Sequence, residues 1–195
     1  MEAKDFFDAK AENYAANRAT GFLKKHIDKE KNCVLELLDI KEGEHILDAG
    51  CGDGYYSVLI KKVGAVPFGI DISEKMITSL ATHGITGQVA ALENFDLDIK
   101  FDKILCAGAM EFLNSPEAAL NNFAAHLKDT GTLVILYPRL SLGGLLYKTY
   151  HKTHGININL FTKNKFVKML EAAKFSVVSR KSANIVCDVI TAVKK

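Results

Sequence analysis

The residues best suited to chemistry form a glycine-rich run that follows a short apolar segment. The run is Ile46-Leu47-Asp48-Ala49-Gly50-Cys51-Gly52-Asp53-Gly54, in which three glycines stand at alternate positions. Glycines let the backbone turn sharply and lie against a ligand that any Cβ would push away. A second run, Gly69-Ile70-Asp71-Ile72-Ser73, carries an acid 21 residues after Gly50. In a doubly wound sheet such an acid reaches the ribose hydroxyls of a ligand over the glycine loop, so we predict a nucleoside-containing cofactor.

The spacing of the glycines argues against two other kinds of cofactor. The nicotinamide dinucleotide pattern needs a glycine where this chain has Tyr55. The phosphate-binding P-loop ends in Gly-Lys-Ser/Thr, which is absent here. A glycine-rich turn that binds no ligand is the remaining interpretation of the pattern.

Composition indicates one soluble domain. The chain has 195 residues, of which 48% are hydrophobic and 25% charged, as is usual for globular proteins. No apolar run approaches the roughly 20 residues that span a bilayer, and the polar N-terminal residues lack a signal-peptide core. The four cysteines show no CxxC spacing, so we expect reduced thiols, a cytoplasmic location and no metal site.

Charge is distributed unevenly along the chain. Residues 130–195 hold eleven lysines and arginines but two acids, a net charge of +9. The whole chain carries +2, so residues 1–129 carry −7. No acid occurs between Asp129 and Glu171. The basic part is either a solvated surface or a rim that attracts an anionic substrate, an acidic carrier, a membrane surface or RNA.

Predicted strands and helices alternate, which favours an α/β fold built on a parallel sheet. Helices are expected over residues 3–16, 20–38, 55–63, 74–82, 116–127 and 165–173, with a short helix at 145–150. Strands are expected at 45–48, 67–71, 87–90, 101–107, 132–137, 176–181 and 185–193. The last two strands are predicted to form a hairpin at the sheet edge.

The spacing Asp48-x-Gly50-x-Gly52-x-Gly54 resembles motif I of the class I S-adenosylmethionine-dependent methyltransferases. Four more segments resemble parts of small-molecule methyltransferases of the ubiquinone and magnesium-protoporphyrin types. They are residues 6–18, 101–113, 127–138 and 161–178. The resemblance implies a Rossmann-like, doubly wound, seven-stranded sheet, mostly parallel with a reversed last strand. It also implies S-adenosylmethionine across the carboxyl ends of the strands.

The resemblance implies a single methyltransferase domain over residues 1–195. Within it we expect an N-terminal helical lid at 1–40 and a cofactor-binding core at 41–137. An insert at 138–161 would cover the acceptor, and a helix with a strand pair would follow at 162–195.

Carried over by position, the resemblance implies a set of cofactor contacts. Asp48 would approach the methionine ammonium, Asp71 the ribose hydroxyls and Arg18 the cofactor carboxylate. The full set is Tyr14, Arg18, Asp48, Ala49, Gly50, Cys51, Gly52, Asp71, Ile72, Met76, Leu92, Ala107 and Met110.

The chain departs from the family pattern at three places, of which the turn Lys128-Asp129-Thr130-Gly131 in place of LKPGG has little functional meaning. Ala90-Ala91 stands where many relatives have Gly-Asp before the adenine contact. Many members of the family have E-x-L-E-H where this chain has Gly108-Ala109-Met110-Glu111-Phe112. The chain therefore lacks the first acid and the histidine of that pattern.

Methyl transfer requires alignment and desolvation from the protein, and a base only for a protonated acceptor. Candidate catalytic residues are His151, His154, Tyr14 and Arg139, the last as a holder of an acceptor anion. We expect a small anionic or amphiphilic acceptor, no nucleic acid, and at most peripheral membrane contact. An RNA or protein methyltransferase, favoured by the basic C-terminal third, remains an alternative. So does a non-catalytic S-adenosylmethionine-binding module, favoured by Ala91 and Gly108.

Overall fold

The computed structural model of the protein describes residues 3–10 and 22–195. Its helices are α1 (Ala3–Lys10), α2 (Phe22–Leu38), α3 (Tyr55–Lys62), α4 (Glu74–Thr82), α5 (Pro116–His126), α6 (Leu142–Thr153) and α7 (Lys163–Ala172). Its strands are β1 (His45–Ala49), β2 (Val66–Asp71), β3 (Thr86–Val89), β4 (Phe101–Ala107), β5 (Leu127–Pro138), β6 (Phe175–Ser182) and β7 (Cys187–Lys194). A 3₁₀ turn, Met110–Phe112, follows β4. Among these helices, none is long and apolar enough to cross a membrane.

The seven strands form one sheet in the order β3-β2-β1-β4-β5-β7-β6. Neighbouring strands run parallel except β7, which is antiparallel to both β5 and β6. The predicted doubly wound sheet with a reversed last strand is confirmed. The order reverses direction between β1 and β4, and ligands of such sheets bind at that point.

The central strands are buried on both faces of the sheet. The run Ile104-Leu105-Cys106 in β4 and residues 133–137 in β5 are shielded from solvent. Near-continuous apolar strands are typical of parallel sheets covered by helices. One face packs on large aromatic side chains such as Phe123 and Phe166, and the other on α2 through Val34 and Leu38.

Strand β5 is longer than predicted, since it begins at Leu127 instead of residue 132. The C-terminal hairpin forms at the sheet edge, as predicted, with β7 against β5 and β6 as the outermost strand. The burial of the two strands agrees with this order: six consecutive residues of β7 from Cys187 are buried, whereas the second half of β6 is largely exposed. Helix α6 is also longer than predicted, because the Ser141 side chain caps its start by accepting a hydrogen bond from the Gly144 N–H at 3.1 Å.

Candidate active site

A cavity of about 550 Å³ opens at the carboxyl ends of β1, β2 and β4. Its volume lies within the roughly 300–1,000 Å³ of small-molecule sites. The glycine loop, the end of β2 and the turn after β4 line one part of it. Helix α1 and the segment after α6 line another part. The cavity therefore joins the predicted cofactor end to a second region that the sequence left undefined.

The glycine loop is held in backbone conformations that suit glycine. Gly50, Gly52 and Gly54 have φ of +78°, +53° and +92°. The Gly50 and Cys51 N–H groups both donate to the Ile70 carbonyl, at 2.8 and 3.0 Å. A Cβ on Gly50 would lie 2.4 Å from the Ala109 Cβ. Packing therefore requires a glycine at position 50 even without a ligand.

Replacing Gly50 with alanine is expected to lower the free energy of unfolding by about 2–4 kcal/mol. Overpacking against Ala109 costs about 1–3 kcal/mol, and a left-handed backbone adds roughly 1 kcal/mol for a residue with a Cβ. Urea denaturation measures the loss. Adding Ala109→Gly removes the contacted atom and should restore all but about 1 kcal/mol. Equal stabilities of the single and double variants would contradict the packing argument.

Two carboxylates face the cavity from adjacent strands. The Asp48 side chain, buried at the end of β1, accepts a hydrogen bond from the Ser57 hydroxyl at 2.6 Å. At the end of β2, the Asp71 carboxylate accepts from the Gly52 N–H and the Ser73 N–H, each at 2.9 Å. Burial raises the pKa of Asp71, and these backbone donors oppose the rise. The pair offers acceptors to hydroxyl or ammonium groups of a ligand.

Apolar side chains stand beside Asp71. Met76 and Leu92 are buried and Ile72 is partly exposed, and all three line the cavity. Glu93 also lines it, next to the departure at Ala90-Ala91. This part of the cavity suits a flat, largely apolar group with a polar edge.

Aromatic residues form the other end of the cavity. Phe7 of α1 and Phe112 line it, with ring centroids 5.0 Å apart in an edge-to-face arrangement. Helix α1 is attached to the start of α4, because the Ser73 hydroxyl donates to the Asp8 carboxylate and Lys75 Nζ donates to the Asp8 carbonyl at 3.3 Å. The described part of the N-terminal region therefore covers this end.

The segment after α6 completes that end. Ile156, Asn157 and Asn159 line the cavity. The Asn159 amide donates to the Leu113 carbonyl at 2.8 Å, and its backbone N–H donates to the Glu111 carbonyl at 2.8 Å. The segment is thereby joined to the turn after β4.

The structure brings most of the predicted cofactor residues together. Those that line the cavity are Asp48, Gly50, Cys51, Gly52, Asp71, Ile72, Met76, Leu92 and Ala107. Ala49 and Met110 lie buried in the adjoining core instead. Tyr14 and Arg18 lie outside the described residues.

The two predicted histidines do not line the cavity. His151 is buried in α6, and its ring packs edge-to-face on Phe112 with centroids 5.5 Å apart. Phe112 thus lines the cavity on one side and contacts the His151 ring on the other. The exposed His154 has its Nδ1 2.7 Å from the Tyr150 carbonyl oxygen.

Arg139 is likewise absent from the cavity lining. Its guanidinium pairs with the Asp188 carboxylate and donates to the Ser182 hydroxyl and the Asn184 carbonyl, both at 2.7 Å. These bonds hold the turn between β6 and β7 against the end of β5. Its hydrogen-bond donors therefore serve the fold, and we do not assign it to the acceptor.

Sequence reasoning missed Glu111 as a site residue. Its side chain is 2% exposed, and Oε2 has no hydrogen-bond partner among the described residues. Oε1 lies 4.0 Å from where a Cβ on Gly108 would be, and Gly108 lines the cavity. Burial raises the pKa of Glu111 to about 8. The available signal was that Glu111 is the one acid retained from the E-x-L-E-H pattern.

Two comparisons with known sequences agree on the nature of the chain. Residues 22–180 match a family model described as a methyltransferase domain. A ubiquinone biosynthesis O-methyltransferase of Coxiella burnetii is 34% identical over 99 residues, which cover 47% of this chain and 42% of that protein. A mitochondrial ubiquinone biosynthesis O-methyltransferase of Schizosaccharomyces pombe is 26% identical over 159 residues, covering 75% and 56%. The chain thus spans about half the length of these curated relatives.

A solved structure supports the same fold. Magnesium protoporphyrin IX methyltransferase from Synechocystis PCC 6803, with bound S-adenosylhomocysteine, superposes with a TM-score of 0.78 at 20% identity. The superposition covers 98% of this chain and 97% of that one. The strand order, the glycine loop after β1 and the acid at the end of β2 occur together in one sheet. The chain therefore belongs to the methyltransferase-domain family and has the fold of the class I S-adenosylmethionine-dependent methyltransferases.

Proposed function

We propose that the protein transfers a methyl group from S-adenosylmethionine to an oxygen atom of a small amphiphilic molecule. One observation carries the proposal: the glycine loop with Asp48 and Asp71 shares a single cavity with an aromatic end at Phe7 and Phe112. S-adenosylmethionine supplies a methyl group on a positively charged sulfur. The Coxiella and fission-yeast relatives are named O-methyltransferases, which favours an oxygen acceptor.

The residues at the cofactor end fit S-adenosylmethionine. Asp71 would accept hydrogen bonds from the ribose hydroxyls, and Asp48 would face the methionine ammonium. Both roles suit carboxylates, because an ionised carboxylate accepts hydrogen bonds and donates none. Ile72, Met76 and Leu92 would flank the adenine.

The other end of the cavity would hold the acceptor. Phe7, Phe112 and Ile156 give it an apolar body, and Lys4 adds a cationic group at its boundary. These residues would align the acceptor oxygen with the methyl group and exclude water, which are the protein's main contributions to an in-line displacement. An acceptor with an apolar body and an anionic head fits this combination.

We propose that the acceptor oxygen is already ionised at neutral pH, as in a carboxylate. A carboxylate needs no general base, whereas an alcohol does. Within residues 3–10 and 22–195, no histidine lines the cavity, and the carboxylates that line it, Asp48, Asp71 and Glu93, belong to its proposed cofactor end. Burial raises the pKa of the nearby Glu111 to about 8, so this carboxyl holds its proton at neutral pH.

The test is the release of S-adenosylhomocysteine from S-adenosylmethionine by the purified protein. One sample receives host metabolites and lipids, and a second receives host RNA and protein. We expect release with the first sample alone, and a product that carries one added methyl mass. Release with the second sample alone would assign the protein to RNA or protein methylation. Binding of S-adenosylmethionine without release in either sample would favour a non-catalytic binding module.

A further inference from the structure

Helix α6 exposes apolar side chains on the side that faces away from the sheet. Leu142 is 79% exposed, Leu146 68%, Tyr150 54% and Leu145 49%. Positions separated by three, four and eight residues lie on one side of a helix, so these four form a continuous stripe. An amphipathic helix normally turns such a stripe toward the core. The exposed stripe indicates a partner surface.

The inner side of α6 cannot take up the leucines. A Cβ on Gly144 would lie 2.1 Å from the Arg139 carbonyl oxygen, and one on Gly143 would lie 2.7 Å from the Ile185 carbonyl oxygen. In the second half of the helix, the buried His151 ring packs against the Tyr147 ring, with centroids 4.5 Å apart. Rotation of the helix would place leucines where only glycine fits. The outward direction of the stripe is therefore built into the fold.

Two further apolar side chains extend the stripe beyond the start of the helix. Leu140 is 51% exposed and Ile185, in the turn between β6 and β7, is 66% exposed. Ile185 adjoins α6, because its carbonyl accepts from the Ser141 hydroxyl at 3.3 Å. We name the whole set the leucine face: Leu140, Leu142, Leu145, Leu146, Tyr150 and Ile185.

Basic residues accompany the leucine face. Lys148 and Lys152 stand one turn apart on α6, and helical geometry places both on the same flank of the stripe. No acid occurs anywhere between Asp129 and Glu171. Apolar residues flanked by lysines are the pattern of helices that lie in the interface of an anionic bilayer, with the lysine stems extended toward the headgroups.

We propose that the leucine face docks the protein on an anionic membrane surface. A second copy of the chain could also cover the leucines, but a two-fold contact would bring the same lysines of both copies together. A bilayer accepts the apolar stripe and neutralises Lys148 and Lys152 at the same time. Charge complementarity therefore favours the bilayer over self-association.

Docking would also place the cavity beside the membrane. The inner side of α6 contacts Phe112 through His151, and the segment that follows the helix lines the cavity with Ile156 and Asn157. A membrane-bound amphiphile would then have a short path to the aromatic end. The docking itself does not depend on methyl transfer.

The experiment is sedimentation of the purified full chain with lipid vesicles. One set contains phosphatidylcholine alone, and the other contains phosphatidylcholine mixed with anionic phosphatidylglycerol. We expect strong binding to the anionic vesicles that weakens with added salt. The double variant Leu142→Gln/Leu146→Gln should lower this binding roughly tenfold or more, since it removes the two most exposed apolar groups of the helix. Lys148→Gln/Lys152→Gln should lower it and reduce its salt dependence.

Matched controls lie on other parts of the surface. Val178 on β6 is 63% exposed, and Lys62 at the end of α3 is exposed. Val178→Gln and Lys62→Gln should bind anionic vesicles as the unmodified protein does. Because all these positions are at the surface, equal melting temperatures should show that every variant is folded.

Three results would overturn the proposal. They are no binding of the unmodified protein to anionic vesicles, equal binding by the leucine variant, or a dimer that separates when Leu142 and Leu146 are replaced. The last result, read by analytical ultracentrifugation, would assign the leucine face to a second copy. The assay needs neither cofactor nor acceptor, so its failure is distinguishable from a failure of the proposed methyl transfer.

Discussion

Replacing Asp71 with alanine is expected to weaken the binding of S-adenosylhomocysteine by roughly a hundredfold, or about 3 kcal/mol. The carboxylate is the proposed acceptor for the ribose hydroxyls, and hydrogen bonds to charged groups are the stronger kind. Its loss also frees the Gly52 N–H, which it holds at 2.9 Å, and so loosens the glycine loop. Isothermal titration calorimetry with the purified variant measures the change.

The control for this experiment is Glu74→Ala, which removes the same charge from an exposed position at the start of α4. It should leave binding nearly unchanged. An analogue of S-adenosylhomocysteine without the two ribose hydroxyls tests the contact itself. The unmodified protein should bind this analogue poorly, and the Asp71 variant should no longer distinguish the two ligands. If a folded Asp71→Ala protein binds with unchanged affinity, the acid does not contact the ribose.

We expect the Glu111→Gln protein to gain free energy of unfolding relative to the unmodified protein as the pH rises from about 4.5 to about 8. Burial raises the pKa of this carboxyl from 4.5 to about 8 in the folded state. Below pH 4.5 the group is protonated whether the chain is folded or unfolded. Between the two values only the folded chain holds the proton, so the free energy of unfolding falls as the pH rises. Above pH 8 both states are ionised and the loss is complete.

The full effect amounts to as much as about 5 kcal/mol, at about 1.4 kcal/mol per pH unit. Urea denaturation of Glu111→Gln and of the unmodified protein over this pH range measures it. Glutamine resembles the protonated acid in shape, and any new cost of its buried amide is constant with pH. Glu117→Gln, at an exposed position of α5, should follow the unmodified protein. Parallel stability curves for Glu111→Gln and the unmodified protein would show that Glu111 is not buried as described.

The cofactor end could be predicted because its requirements are local. Three glycines at alternate positions mark a backbone with positive φ, which few other residues adopt. An acid at the end of the following apolar run lies at the same sheet edge as the glycine loop, because parallel strands end together. Apolar segments that mostly alternate with predicted helices indicated a parallel sheet covered by helices. The seven-stranded class I fold was implied by the resemblance of the glycine run and the later segments to the methyltransferase motifs.

The aromatic end of the cavity, where we propose that the acceptor binds, depends on contacts between distant segments. Phe7 meets Phe112 only because α1 is attached to α4 through Asp8 and Ser73. Asn159 reaches the cavity because its amide bonds to Leu113, 46 residues earlier. Apart from the short helix predicted at 145–150, the insert that contains Asn159 shows no helical or strand period, so no local pattern marked this position.

Long-range packing also decided what Arg139 and Gly50 do, two residues that the sequence marked as candidates for the site. Arg139 belongs to an ion pair with Asp188, 49 residues later, and its charge alone could not show that partner. Gly50 is needed against Ala109 as well as for its backbone, and α6 faces its leucines outward because Gly143 and Gly144 allow no other approach. The sequence by itself indicated the fold family, through its resemblance to the methyltransferase motifs, and the glycine loop with Asp71, since glycine spacing and strand-end acids are local features. Only the tertiary structure decided the aromatic end of the cavity and the leucine face, because side-chain surroundings are set by segments far apart in the chain.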